Sequence, residues 1–141
     1  MKTKNEDFVY SDERFADLQL LRYRVDGFAG LSLNKKKYIY YLAKATLAGR
    51  DITTDQYGKY NLDIRKVFEA ILLSEGAKKD RDNYEQAVVY LKRLWFPNGI
   101  YYHYGCEKFV PEFSEQWFRK CVKELRTCDQ LFAKYGGVEK F

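Results

Sequence analysis

The side chains best suited to chemistry are one histidine, His103, and three cysteines, Cys106, Cys121 and Cys128. An imidazole with three thiolates is a ligand set that zinc accepts in structural sites. However, His-x-x-Cys followed by two cysteines a heptad apart matches no known zinc-knuckle spacing. The odd cysteine number and the absence of paired spacing also argue against a disulfide framework. We therefore predict no metal site and reduced thiols, with Cys121 and Cys128 in the core.

Other catalytic arrangements find little support in the sequence. A Cys106–His103 nucleophile pair falls in a loop, without the helix N-terminus or basic surroundings that lower a thiol pKa. A helical zinc-hydrolase motif needs two histidines one turn apart, and this chain has one. No glycine-rich phosphate loop and no paired carboxylates on an apolar face are recognisable. The sequence thus predicts no catalytic residue and no cofactor in this chain.

His103 belongs to an unusual aromatic run, Tyr101-Tyr102-His103-Tyr104, that follows Pro97-Asn98-Gly99. Proline removes a backbone donor and disfavours helix at the residue before it, while Asn-Gly accepts the positive φ of a tight turn. Four ring-bearing residues in a row are too apolar to lie free in water. We expect this loop either to fill a gap between two helices or to line a cleft.

The elements that must position this loop are helical. Apolar periodicity predicts a first helix beginning near Ser11 or Asp12 and a second over residues 33–48, capped by Ser32 and stopped by Gly49. Residues 50–60 read as a polar connection. A third helix is predicted over 62–74 with Asn61 as its cap. A fourth is predicted to run to Phe96, with Asp82 and Glu85 as its capping pair.

Ser114 is expected to cap a fifth helix, whose apolar stripe continues to Phe132, and the last four residues are expected to dangle. The predicted fold class is therefore all-α: an array of about five helices with a long aromatic loop between the fourth and the fifth. We treat residues 1–141 as a single helical segment, with residues 1–10 flexible.

Composition limits the choice of function. A chain of 141 residues suits one domain, and its net charge of +5 is too small to indicate nucleic-acid binding. No apolar run approaches the roughly 20 residues of a membrane span. The polar start, Met1-Lys2-Thr3-Lys4, is unlike a signal peptide, so we expect a cytoplasmic protein if Met1 is the natural start.

Several blocks of this sequence resemble, in order, the N-terminal part of dipeptidyl peptidase III, a family of zinc-dependent exopeptidases, and most closely its Bacteroidetes branch. The resemblance covers about four-fifths of the chain. The matching blocks are F-A-D-L-Q-L-L-R-Y at residues 15–23, L-S-L at 31–33, Y-Y-L at 40–42, G-R-D-I at 49–52, K-Y-N-L-D-I-R-K at 59–66, Y-L-K-R-L-W-F at 90–96 and K-F-V-P-E-F-S at 108–114.

The resemblance implies a part of a larger, two-lobed enzyme that releases dipeptides from the N-terminus of short peptides. The family's H-E-x-x-G-H zinc helix and E-E-x-R-A-E partner do not occur here and would lie beyond residue 141. Zinc is accordingly expected only in the full-length relative. This chain would supply part of the substrate-side lobe and should be inactive alone.

The resemblance also implies roles for the aromatic loop. His103 and Tyr104 fall where residues of the cleft contact bound peptide, and Asn98, Gly99 and Gly105 would shape the loop. The expected partners are the rest of the peptidase chain, with its zinc-bearing lobe, and a peptide substrate, but no nucleic acid and no membrane. Two alternatives remain open: a freestanding helical protein-interaction domain and, with less support, a basic module that binds nucleic acid through Lys35, Lys36, Lys37, Lys92 and Arg93.

Overall fold

The structure is a computed structural model that describes residues 8–141. The chain is mainly helical, as the sequence predicts. It divides into two compact units, the first ending at Arg50 and the second comprising Asp51–Phe141. The flexible terminus predicted for residues 1–10 lies mostly outside the described residues.

The first unit begins with a β-hairpin, where the sequence predicts a helix. Strand β1 (Ser11–Phe15) pairs with the antiparallel strand β2 (Leu18–Leu21). The turn between them places Ala16 at φ 48°, which is uncommon for a residue with a Cβ. The helix prediction is wrong here because apolar residues three apart also fit a short hairpin whose turn carries no glycine signal.

Helix α1 (Leu33–Ala48) completes the first unit and confirms the predicted bounds. The Ser32 side chain accepts a hydrogen bond from the Lys35 backbone N–H at 3.4 Å, and the N–H of Gly49 donates to the carbonyl of Ala45. None of the residues of α1 is buried. Its large apolar side chains are therefore exposed, among them Leu33, Tyr38, Tyr40, Tyr41, Leu42 and Leu47.

The second unit contains the remaining helices: α2 (Arg50–Tyr57), α3 (Asn61–Leu73), α4 (Arg81–Trp95), α5 (Glu115–Glu124) and α6 (Asp129–Ala133). Helix α2 replaces the predicted polar connection. Its own contribution to the core is the buried Thr54, whose hydroxyl accepts a hydrogen bond from Arg65 of α3. A short helix with one buried side chain leaves almost no apolar periodicity in the sequence, so the pattern missed it.

The caps of α3 and α4 each lie one or two residues before the predicted ones. Tyr60 precedes α3 and makes no side-chain cap, whereas Asn61 is its first helical residue. Asp80 caps α4 by accepting from the backbone N–H of Asn83, in place of Asp82. These small shifts matter because they direct the Asn61 side chain away from a capping position.

The predicted fifth helix is split. Ser114 caps α5 as expected, accepting from Trp117 N–H at 3.2 Å, but the helix ends at Glu124. A 3₁₀ turn at Arg126–Cys128 separates it from α6. Threonine, cysteine and aspartate at 127–129 are weak helix formers, which explains the break within an otherwise apolar stripe.

The end of the chain is packed, so the prediction of a dangling tail is wrong. Residues Val138–Lys140 form a 3₁₀ turn. The ring of Phe141 lies 5.2 Å from that of Phe132 and 5.1 Å from that of Tyr135. Tyr135 in turn donates a hydrogen bond to Asp63 of α3 at 2.8 Å. The tail thereby helps to cover the core.

A single apolar cluster holds the second unit together. It lies between α3, α4 and α5 and continues to α6. Its buried members are Val67, Phe68, Ile71, Ala77, Ala87, Tyr90, Leu91, Leu94, Phe109, Phe113, Trp117, Cys121, Val122, Leu125, Cys128 and Phe132. Within the described residues, no helix has the length and apolar character needed to cross a membrane.

Candidate functional site

The aromatic loop is a compact hairpin. Tyr101 and Lys108 form an antiparallel bridge. Tyr102 N–H donates to the carbonyl of Glu107 at 2.7 Å, and Phe109 N–H donates to that of Ile100 at 2.8 Å. Because its own backbone groups are paired across the hairpin, the loop holds a defined shape over residues 100–109.

The turn that opens this hairpin is set by the end of α4. Asn98 adopts φ 60°, in the left-handed region, and Gly99 N–H donates to the carbonyl of Leu94 at 3.0 Å. Asparagine tolerates this conformation better than most residues because its short polar side chain fits it. The chain thereby reverses immediately after Pro97.

The aromatic side chains of the hairpin divide between core and solvent. Phe109 is buried and Tyr102 half-buried, with their ring centroids 6.1 Å apart. Tyr104 is 85% exposed at the tip. The hairpin thus fills a gap in the core with one side and presents a tyrosine ring to solvent with the other.

His103 lies within a cluster of rings. Its ring centroid is 4.1 Å from that of Tyr104, 4.6 Å from that of Tyr102 and 5.0 Å from that of Phe96. Its Nδ1 atom is buried and has no hydrogen-bond partner among the described residues. The imidazole is therefore held by ring packing, and one of its nitrogens is still able to bond.

An open cavity of about 490 Å³ lies beside the hairpin. His103 of the hairpin and Asn61, the first residue of α3, both line it. Asn61 is only 4% exposed, and its Nδ2 also lacks a partner. A buried donor without an acceptor destabilises a fold by about 1–3 kcal/mol. The remaining lining residues are Tyr57, Pro97, Gly99, Tyr101, Tyr102, Gly105 and Cys106.

Two glycines leave room for the Asn61 amide. A Cβ at Gly99 would lie 2.2 Å from Asn61 Nδ2, and one at Gly58 would lie 3.0 Å from the same atom. A Cβ at Gly105, in contrast, would meet nothing within 4 Å. Gly99 is thus required by a close approach between the hairpin and α3, while Gly105 is in open space.

The buried Arg65 joins neighbouring helices through polar contacts. The Arg65 guanidinium of α3 is buried and donates to Thr54 Oγ1 at 2.8 Å and to Asp51 of α2. Its Nε lies 3.4 Å from Glu69 Oε1, which accepts from Trp95 Nε1 of α4 at 3.0 Å. These contacts tie α2, α3 and α4 together next to the cavity.

The cysteines do not gather into one site. Cys121 and Cys128 are buried core residues, as predicted, and Cys106 is exposed on the hairpin. Burial, together with the nearby Glu124 carboxylate, raises the pKa of the Cys121 thiol to about 11. Burial also raises the pKa of Cys128. Such thiols stay protonated at neutral pH and are poor nucleophiles.

The cavity carries groups that can bind a polar ligand. Across residues 8–141, no group of three or more histidine, cysteine, aspartate or glutamate side chains is placed to hold a metal ion. What the cavity does offer is an amide donor, an imidazole nitrogen and several tyrosine rings. Such groups recognise polar ligands that carry apolar side chains.

Comparisons with protein-family models and with curated proteins found no match. The functional assignment therefore depends on the geometry of the site and on the resemblance noted above.

Asn61 is the site residue that sequence reasoning missed. Asparagine before an apolar run is typical of a helix cap, and the sequence was interpreted that way. The contact between Asn61 and Gly99 joins positions 38 residues apart, so no local pattern could reveal it. His103, Gly99 and Gly105 do line the cavity with Asn61; Tyr104 and Asn98 are not among its lining residues.

Proposed function

We propose that this chain is the N-terminal segment of a dipeptidyl peptidase III-like zinc metallopeptidase and contributes part of its peptide-binding cleft. The observation that carries the proposal is the hairpin, which presents Tyr104 to solvent beside His103. A ring-rich hairpin next to a cavity is a suitable surface for an extended peptide. The ordered sequence blocks that resemble dipeptidyl peptidase III support this class of enzyme.

The exposed side chains of α1 also support this proposal. A helix of 16 residues without a buried one exposes an unusual amount of apolar surface for a soluble domain. The remainder of a peptidase chain, including its zinc-bearing lobe, would cover such a surface. In that arrangement, α1 packs against the rest of the enzyme and the hairpin binds the substrate.

In the full-length enzyme, zinc would activate water, and the ligands for zinc would come from the other lobe. The residues of this chain would bind and orient the peptide. Tyr104 packs against an apolar side chain of the substrate and His103 bonds to its backbone. The segment alone is expected to be inactive, and the proposed location is the cytoplasm.

The reading frame downstream of the Phe141 codon is the first test. A continuous frame leading to an H-E-x-x-G-H helix supports the proposal. A stop codon there, with nothing of the family following even after a frameshift, contradicts it.

Binding provides a second test, made on the purified chain. A short peptide should perturb the NMR signals of the hairpin, and Tyr104→Ala should weaken this binding several-fold. Tyr38→Ala, which removes an exposed ring from α1, is the matched control and should leave binding unchanged. Equal effects of the two substitutions would count against a peptide-contacting hairpin. The chain should release no dipeptide from a chromogenic dipeptide substrate, with or without added zinc.

A freestanding protein-interaction domain is the second candidate, and the same exposed helix favours it. Exposed tyrosine rings beside other exposed apolar side chains on one helix are typical of a docking surface. This candidate is favoured if the stop codon is genuine. In that case, substitutions on α1 should abolish binding to the partner protein, and substitutions on the hairpin should not.

A further inference from the structure

We infer that Asn61 and His103 form a subsite for a backbone amide of the bound peptide. The inference rests on the proposed function in that it takes the ligand to be a peptide. It adds a residue, Asn61, and an atomic role for each of the two side chains. The cavity between α3 and the hairpin is where the amide would bind.

The first support is the unpaired polar atoms. Asn61 and His103 line the same cavity, and the Nδ2 atom of the first and the Nδ1 atom of the second are buried and have no hydrogen-bond partner among the described residues. Asn61 Nδ2 is a donor, and Nδ1 of a neutral histidine is an acceptor when the proton is on Nε2. A peptide amide offers one carbonyl acceptor and one N–H donor, which complement this pair.

The second support is the end of α3. Asn61 is the first residue of a helix of 13 residues, and its cap residue, Tyr60, makes no side-chain hydrogen bond. A helix N-terminus carries partial positive charge and free N–H groups, so it favours an electron-rich oxygen. The carbonyl oxygen of the ligand would therefore bind at Asn61, with its N–H directed to His103.

The third support is the way the chain keeps this donor in place. A side chain at Gly99 would displace Nδ2, and one at Gly58 would make a tight contact with it. The ion pair between Arg65 of α3 and Asp51 of α2 also holds these two helices together. The amide group is thus held in a fixed position, which favours binding because little side-chain freedom is lost.

Access requires the hairpin to shift at its base as well as at its tip, because both polar atoms are covered and Asn61 Nδ2 lies against Gly99. The tip has room to move, since Tyr104 is exposed and the space around Gly105 is open. Tyr101, Tyr102 and Cys106 form the rest of the rim. The tyrosine rings would then pack against the side chains that flank the bound amide.

The test uses the whole chain labelled with ¹⁵N and a blocked dipeptide, acetyl-Ala-Ala-methylamide, as the probe. The side-chain amide signals of Asn61 should shift on titration, and those of Asn34 should not. Asn61→Asp replaces the donor with an acceptor of the same shape and should weaken binding at least tenfold. Asn34→Asp, also in the first turn of a helix, is the matched control.

Circular dichroism shows whether each variant folds. If Asn61→Asp does not fold, His103→Phe keeps the ring packing, removes both nitrogens and should weaken binding several-fold.

An Asn61 signal that does not shift on titration, or full binding by folded Asn61→Asp, overturns the inference. Full binding by Asn61→Asp together with weak binding by Tyr104→Ala overturns the subsite but leaves the proposed function intact. Absence of any binding also overturns the subsite, and the downstream reading frame then decides the proposed function separately.

Discussion

Helices α1 and α4 have nearly the same length, 16 and 15 residues, but their environments differ completely. Helix α4 buries Ala87, Tyr90, Leu91 and Leu94, whereas α1 buries nothing. More broadly, Phe15 is the one buried residue among residues 8–50, while the second unit has a continuous core.

This difference shows that an apolar helix in the sequence does not imply a covered helix in the fold. Most helical stability in proteins comes from packing an apolar face, not from intrinsic propensity. By that measure the second unit can stabilise itself, whereas the first unit lacks a core of its own. The proposed remainder of an enzyme, or a partner protein, would supply the missing surface.

The largest effect should come from truncating a leucine in each helix. Leu91→Ala removes a side chain that is 1% exposed and should lower the free energy of unfolding by about 2–5 kcal/mol. Leu42→Ala, at a position 53% exposed, should change it by no more than about 0.5 kcal/mol. Urea unfolding of both variants measures this. A comparable loss from Leu42→Ala would show that α1 is covered in solution.

A glycine-to-alanine substitution in each unit should show the same difference in stability between the two units. Gly99→Ala places a methyl group 2.2 Å from Asn61 Nδ2 and should lower the free energy of unfolding by about 1–3 kcal/mol. Gly30→Ala meets no atom within 4 Å and should alter it by less than about 1 kcal/mol.

Thermal or urea unfolding compares these glycine variants. The double variant Gly99→Ala with Asn61→Ala should recover part of the lost stability, because the clashing amide is gone. If Asn61→Ala gives no recovery, the loss at Gly99 has another origin.

The smallest effect should be a pH dependence of the free energy of unfolding that Tyr135, in the second unit, causes. Burial, together with the hydrogen bond to Asp63, raises the pKa of this phenol to about 12. An unfolded tyrosine has a pKa near 10. The folded state therefore holds the phenol proton more tightly than the unfolded state does. The resulting contribution of Tyr135 to the free energy of unfolding is complete below about pH 10 and is lost as the pH rises through 12.

Unfolding free energies of the wild type and of Tyr135→Phe, measured from pH 7 to 11.5, check this. The stability advantage of the wild type should shrink above pH 10. Tyr41→Phe, at an exposed position of α1, serves as the control. A constant difference across the range for Tyr135→Phe would contradict the linkage.

The parts of the fold predicted from sequence are those with strong local signals. The bounds of α1 follow from Ser32 and Gly49, and the start of α5 follows from Ser114. The parts missed depend on packing. Helix α2 forms against Arg65, and the β-hairpin turns at Ala16 without a glycine. Helix α2 leaves almost no apolar periodicity in the sequence, and the apolar spacing of the β-hairpin also fits a helix.

The candidate site also has a part that local sequence signals predict and a part that depends on packing. A packed aromatic loop could be expected from Pro97-Asn98-Gly99 and from the density of rings around His103, but its pairing as a hairpin was not predicted. Asn61 could not, since its importance arises from a contact with Gly99 across two elements. Whether an amide is buried and unpaired is a property of the assembled structure, not of any short stretch of sequence.

The close approach of Asn61 to Gly99 has an evolutionary consequence. A residue larger than glycine at position 99 fits only if position 61 becomes smaller, so the two positions should covary among related sequences. An asparagine should accompany glycine, while alanine or serine at position 99 should accompany a shortened side chain at position 61. The pair would thus mark, within any set of relatives, the members that retain the amide donor.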